Sequence, residues 1–118
     1  MPGKKNNSNQ RSISTGLMPL AVILAFCVFT FSGVLDNGFT DWDDDLYVTK
    51  NPIIKSLDAE NIGRMFTELV AELYTPLTIF SYSIDYKIFG LNPKGFHGMN
   101  LFFHLINCIL VFFLLRKW

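Results

Sequence analysis

Four aspartates crowd one short stretch, Asp41-Trp42-Asp43-Asp44-Asp45-Leu46-Tyr47. Carboxylates in such a cluster can take a proton from an attacking hydroxyl, or hold a hard cation through oxygen. Asp41, Asp43 and Asp45 repeat the first three ligand positions of an EF-hand loop. Leu46 stands where that loop needs glycine, however, and Pro52 where it needs a bidentate glutamate, so calcium in that geometry is excluded. A looser divalent site, magnesium or manganese on two carboxylates, stays open. The plain alternative is a solvated, hairpin-like acidic loop. Trp42 and Tyr47 beside the acids suit a membrane interface, where amphipathic rings fix depth.

A second set of polar residues has helical spacing. His97, Asn100, His104 and Asn107 are separated by three, four and three positions, so they fall within about 80° of one helix face. His97 and His104 lie about 10 Å apart along such a helix, too far to share a zinc ion without other ligands. Interhelical hydrogen bonds, or a wet cavity, account for the stripe better. A P-loop, a nucleophile elbow, a CxxC pair and a dinucleotide-binding glycine pattern are all missing from the sequence.

The elements that must carry these residues follow from how the chain segregates its charge. It has ten basic and ten acidic residues, yet half of its 118 residues are apolar. Leu17 to Leu35 carries no charge and spans roughly 30 Å as a helix, the thickness of a hydrocarbon core. Phe96 to Leu115 has comparable length and is followed by Arg116 and Lys117. Two transmembrane helices, at 17–35 and 96–115, are therefore predicted. A cleavable signal peptide is disfavoured for the first, since its apolar run is too long and no small-x-small pattern closes it. Cys27 and Cys108 both fall inside the proposed spans, where thiols act as small apolar side chains.

Lys4, Lys5 and Arg11 precede the first span and Arg116 and Lys117 follow the second, with no acid in either flank. The positive-inside rule then places both termini in the cytoplasm and residues 36–95 in the periplasm or lumen. Residues 1–16 read as a disordered basic tail, and 116–118 as a short cytoplasmic end. Within the outer loop, Ile62, Met65, Phe66, Leu69, Val70 and Leu73 predict an amphipathic helix over 57–73 with Ser56 as its cap. Thr75-Pro76 begins a second helix and Gly90 ends it, giving 76–89. Leu77, Phe80, Ile84 and Ile88 form its apolar face, suited to the bilayer surface. Residues 91–95 read as a loop. The class is all-α integral membrane, and nothing indicates a nucleic-acid partner.

The order of segments carries a likeness. An apolar span is followed by Trp42-Asp43-Asp44-Asp45-Leu46-Tyr47-Val48-Thr49-Lys50-Asn51-Pro52, then Tyr74-Thr75-Pro76-Leu77-Thr78 and Ile88-Phe89-Gly90-Leu91-Asn92-Pro93. Gly95-Phe96-His97, Asn100-Leu101, His104 and Asn107 complete the string. Over about residues 17–118 it resembles the N-terminal part of the transmembrane and tetratricopeptide-repeat glycosyltransferases, which are related to the protein O-mannosyltransferases and have a GT-C fold. The resemblance implies a polytopic enzyme that moves a sugar from a polyprenyl-phosphate donor to an acceptor on the outer side. It places the family's catalytic acidic pair on Asp43 and Asp44. Asp43 is then the expected general base, and Asp44 orients it or helps hold a cation that neutralises the donor phosphate.

Family members continue through many more spans, which would cover His97, Asn100, His104 and Asn107. The expectation is therefore an N-terminal or split portion of a glycosyltransferase, inactive alone. The alternative is a small two-span scaffold or accessory subunit without catalysis.

Overall fold

The computed structural model describes the backbone from Asn7 to Trp118 and the side chains from Gly16 onward. Four helices are connected by tighter turns, and among the described residues no β-strand forms. Helix α1 runs Asn7–Phe31 and continues into a 3-10 turn, Ser32–Asp36. The backbone of residues 7–16, expected as disordered tail, is thus helical, while the tail before Asn7 lies outside the described residues. Helix α2 spans Ala59–Thr67, α3 Pro76–Phe89 and α4 Pro93–Lys117. Gly16–Asp36 and Pro93–Lys117 are long and apolar enough to cross a membrane.

The chain divides into two compact units. The first joins α1 to residues 101–118 of α4. Its helices run antiparallel, touching where Phe31 meets His104, where Cys27 meets Cys108 and where Arg116 donates to the Gly16 carbonyl. Gly16, Leu20, Leu24 and Cys27, spaced by four, four and three, are the less exposed side of α1. Much of the remaining surface of the pair is apolar: Val22, Phe26, Phe29, Leu110 and Leu114 are all exposed.

The second unit, Gly33–Asn100, has its own core of Val48, Ile53, Ile54, Met65, Ile79 and Phe96. Each such side chain, fully buried, stabilises the fold by about 1.5–3 kcal/mol. Helix α3 packs against α2 and against the 3-10 turn Ile53–Lys55. Asn51 makes that turn possible. Its side-chain oxygen accepts from the Ile53 amide at 2.9 Å and its amide donates to the Tyr47 carbonyl, so a buried polar group is satisfied at both ends.

Helix α2 is shorter than the apolar spacing predicts, and its cap is Asp58 rather than Ser56. The Asp58 carboxylate accepts from the Asn61 amide at 2.7 Å, while Ser56 donates its hydroxyl to Asp58. The Asn61 amide, seconded by Ser56, holds the Asp58 carboxyl below its usual range. After Thr67 the chain reverses through Ala71 and Glu72, both in the left-handed region, with Val70 and Leu73 exchanging backbone hydrogen bonds. Leu69 and Leu73, expected on a helical face, are therefore exposed.

Helix α3 has the expected bounds. Thr75 occupies the cap position without a side-chain cap bond, and its hydroxyl is buried and unpartnered. Gly90 closes the helix at φ +62, a conformation that glycine adopts without Cβ strain. The side turned to the core carries Ile79, Ser83 and Asp85, while Leu77 and Ile88 of the apolar face remain exposed. Ser83 is tolerated inside because its hydroxyl donates back to the Ile79 carbonyl.

Helix α4 starts at Pro93, three residues before the predicted Phe96, for the same reason that α3 starts at Pro76. Asn92 accepts from the Lys94 amide at 3.1 Å and Pro93 takes the first helical position, so three of the residues expected in a loop, 93–95, are helical.

Candidate acidic site

The acidic run is wound rather than hairpin-like. Asp43 and Asp44 are helical and lead into a π-helical turn, Asp45–Thr49, closed where the Lys50 amide donates to the Asp45 carbonyl. The winding sends Val48 into the core and leaves Trp42 81% exposed.

It also gives the aspartates different surroundings. Asp45 pairs with Lys50 and accepts the Thr49 hydroxyl, and these contacts hold its carboxyl below the usual aspartate range. That carboxylate staples the turn it begins. Asp44 accepts twice from Thr40, from the backbone amide at 2.8 Å and from the hydroxyl at 3.2 Å, through a single carboxylate oxygen. Its other oxygen is left for a different partner. Asp43 is exposed, and among the described residues no ion pair neutralises either Asp43 or Asp44.

What anchors Thr40, and through it Asp44, is the start of α4. Lys94 pairs with Asp36 at 3.0 Å, the His97 ring nitrogen Nε2 lies 3.4 Å from the Gly38 carbonyl, and Phe39 packs edge-on against Phe96 at 5.5 Å between ring centres. Phe96 is 4% exposed, so this aromatic contact continues into the core. His97 thus fastens the approach to the acidic run. Asn100, His104 and Asn107, the rest of the polar stripe, are exposed within this chain.

Two further titratable residues, both on α3, are not marked by the sequence. Tyr82 is half-buried and packs 6.0 Å from Phe96 between ring centres. Burial above all, then the carboxylates of Asp44 and Asp85, with Tyr47 and Asp43 adding to them, raise its phenol above the ordinary value. It therefore stays protonated, a hydrogen-bond donor beside the acids. Asp85, one turn on, is 3% exposed with Oδ1 unpartnered, and burial raises its carboxyl above the usual range. The signal for both was available only as an acid within an apolar helix, Tyr82-Ser83-Ile84-Asp85-Tyr86, whose inward side the sequence does not mark.

The Asp run does not form a cage for a metal. Among the described residues, the groups that converge as a three-ligand set are Cys27, His104 and Cys108, not the aspartates. Asp43 and Asp44 can supply hard oxygen ligands to magnesium or manganese only as part of a shell completed by other molecules.

No protein-family model matches the chain, and no solved structure matches it. Among curated proteins, a protein O-mannosyl-transferase of Caenorhabditis elegans is 24% identical over 124 residues, covering 98% of this chain and 18% of the relative. The chain spans less than a fifth of that relative's length. It is an all-helical chain with two candidate membrane-spanning helices and a distant, partial similarity to a protein O-mannosyl-transferase.

Proposed function

We propose that this chain is the N-terminal portion of a membrane glycosyltransferase of GT-C type, transferring a sugar from a polyprenyl-phosphate donor to an acceptor hydroxyl. Both termini are cytoplasmic, and residues 36–95 face the periplasm or lumen. The observation that carries the reading is the division of labour in the acidic run. Asp45 is consumed by its own turn, whereas Asp43 and Asp44 are presented without cationic partners on a segment anchored to α4.

Asp43 acts as general base. The acceptor oxygen attacks the anomeric carbon, the bond from that carbon to the phosphate oxygen breaks, and the hydroxyl proton passes to the Asp43 carboxylate. The electron pair of the broken bond leaves with the polyprenyl phosphate. Asp44, fixed by Thr40, orients Asp43 and offers its remaining oxygen to a divalent cation or to the acceptor. Such a cation would supply charge neutralisation at the donor phosphate. The exposed Asn100 and Asn107 support the presence of further helices in the complete enzyme, because lipid cannot satisfy those side chains.

The test is transfer by the complete enzyme in membranes. Asp43→Asn should reduce turnover by about 100-fold or more, the scale of general base catalysis, with insertion and protein level unchanged. Asp45→Asn should retain the chemistry. Unchanged transfer in Asp43→Asn would put the non-catalytic scaffold reading ahead.

A further inference from the structure

Helices α1 and α4 bring together three side chains that neither could assemble alone. Cys27 Sγ lies 3.8 Å from Cys108 Sγ, and Cys108 Sγ lies 3.8 Å from His104 Nε2. All three ligand atoms are within 4.8 Å of one another, inside a single compact unit. His104 and Cys108 are four residues apart and so share one face of α4.

The two 3.8 Å separations match those about one metal, and the third pair, Cys27 with His104, lies within 4.8 Å. With Zn–S near 2.3 Å and Zn–N near 2.0–2.1 Å, tetrahedral angles put two sulfurs about 3.8 Å apart and a sulfur and nitrogen about 3.6 Å apart. A disulfide would instead require sulfurs about 2.0 Å apart, and both cysteines are free thiols. Phe31 packs edge-on against the His104 ring at 5.3 Å and 76°, which limits how the imidazole can turn. His104, Asn107 and Cys108 also line a groove of about 650 Å³, which leaves room for a fourth ligand.

Charge favours a divalent ion, and thiolate ligands in tetrahedral geometry favour zinc among these. Two thiolates, one neutral imidazole and Zn²⁺ sum to zero, the state an apolar surrounding penalises least. Copper(I) on the same ligands would leave a net negative charge.

We propose that Cys27, His104 and Cys108 form a zinc site that clamps α1 to α4. On loading, the two thiols release their protons and bind as thiolates, with the fourth position open to the groove. The proposal stands independently of the glycosyltransferase reading.

Co²⁺ is the probe, added to the full chain in phospholipid nanodiscs after reduction with a phosphine. One Co²⁺ per chain is expected, with sulfur-to-cobalt charge-transfer absorption, tetrahedral d–d bands, and displacement by Zn²⁺. Cys27→Ser and Cys108→Ser should each weaken binding by about 100-fold or more, beyond the range of outer-shell substitutions, and Asn100→Ala should leave it unchanged. In the unaltered chain, Zn²⁺ should protect both cysteines from maleimide and a chelator should restore their reactivity, a readout that depends on no variant folding. Any of four results overturns the site: an octahedral or absent Co²⁺ spectrum, alkylation indifferent to Zn²⁺, binding of copper(I) alone, or a Cys27–Cys108 disulfide as the form isolated from cells.

Discussion

Asp85 should be a liability at neutral pH, and removing its charge should make the second unit more stable. The residue is 3% exposed and its Oδ1 has no partner. Leaving a buried acceptor unsatisfied costs about 1–3 kcal/mol, and more when it is charged. Asn has nearly the same shape and keeps a polar group inside, so Asp85→Asn recovers only the part that belongs to the charge, about 1 kcal/mol.

The sign with pH follows from the raised folded-state carboxyl. Between the ordinary aspartate value and the raised one, the folded chain binds more protons than the unfolded chain, so stability falls as pH rises through that window. Below the ordinary value Asp85 is neutral in both states and its penalty disappears. Thermal unfolding of the chain in detergent, at pH 8 and again near the ordinary carboxylate value, is the assay. The variant should unfold several degrees higher at pH 8, taking about 2–8 °C per kcal/mol, and should lose most of that advantage at the lower pH. If Asp85→Asn is less stable than the parent by a similar amount at both pH values, the carboxylate has a partner and the reasoning fails. A more stable variant with slower sugar transfer would mark Asp85 as a residue kept for activity at the expense of stability.

Three other outcomes follow from local geometry. Gly95→Ala should destabilise by about 1–3 kcal/mol in chemical denaturation, because its Cβ would run into the base of the Phe89 ring, where no flexible end can yield. Replacing Ala71-Glu72 by Asn-Gly should stabilise by about 1 kcal/mol, since both positions are left-handed and exposed; an unchanged midpoint would mean that the reversal is not strained. Asp45→Asn should speed hydrogen exchange at the Lys50 amide, by loosening the turn that Lys50 closes. Because Lys50 and Thr49 lower the Asp45 carboxyl, that protection is present above the ordinary aspartate value and lost as pH falls through the lowered one.

Local chemistry made much of this fold legible. Thr75-Pro76 and Gly90 bound α3 as predicted, because a proline start and a glycine stop act within one turn of backbone. Asn92-Pro93 is the same start signal, and reading it as a loop cost three residues of α4. The amphipathic spacing beyond Thr67 misled, since a tight reversal closed by Val70 and Leu73 can present apolar residues at intervals that imitate a helix. The Asp run was visible as a cluster, but its internal differences were not. Which aspartate a lysine claims depends on how the turn winds. Asp85 and the meeting of Cys27 with Cys108 lay further out of reach, because each depends on a neighbour distant in sequence.

Asp36 and Lys94, near the two ends of the 36–95 segment, are held together by a salt bridge, and His97 and Phe96 fasten Gly38 and Phe39 beside it. The chain therefore enters and leaves this unit at nearly one point, as it does in domains that tolerate insertion into a host. A closed insert of this kind can be exchanged or enlarged between its fastened ends while Asp36 and Lys94 stay paired. The acidic run, Tyr82 and the small core would then be inherited together as a portable cassette.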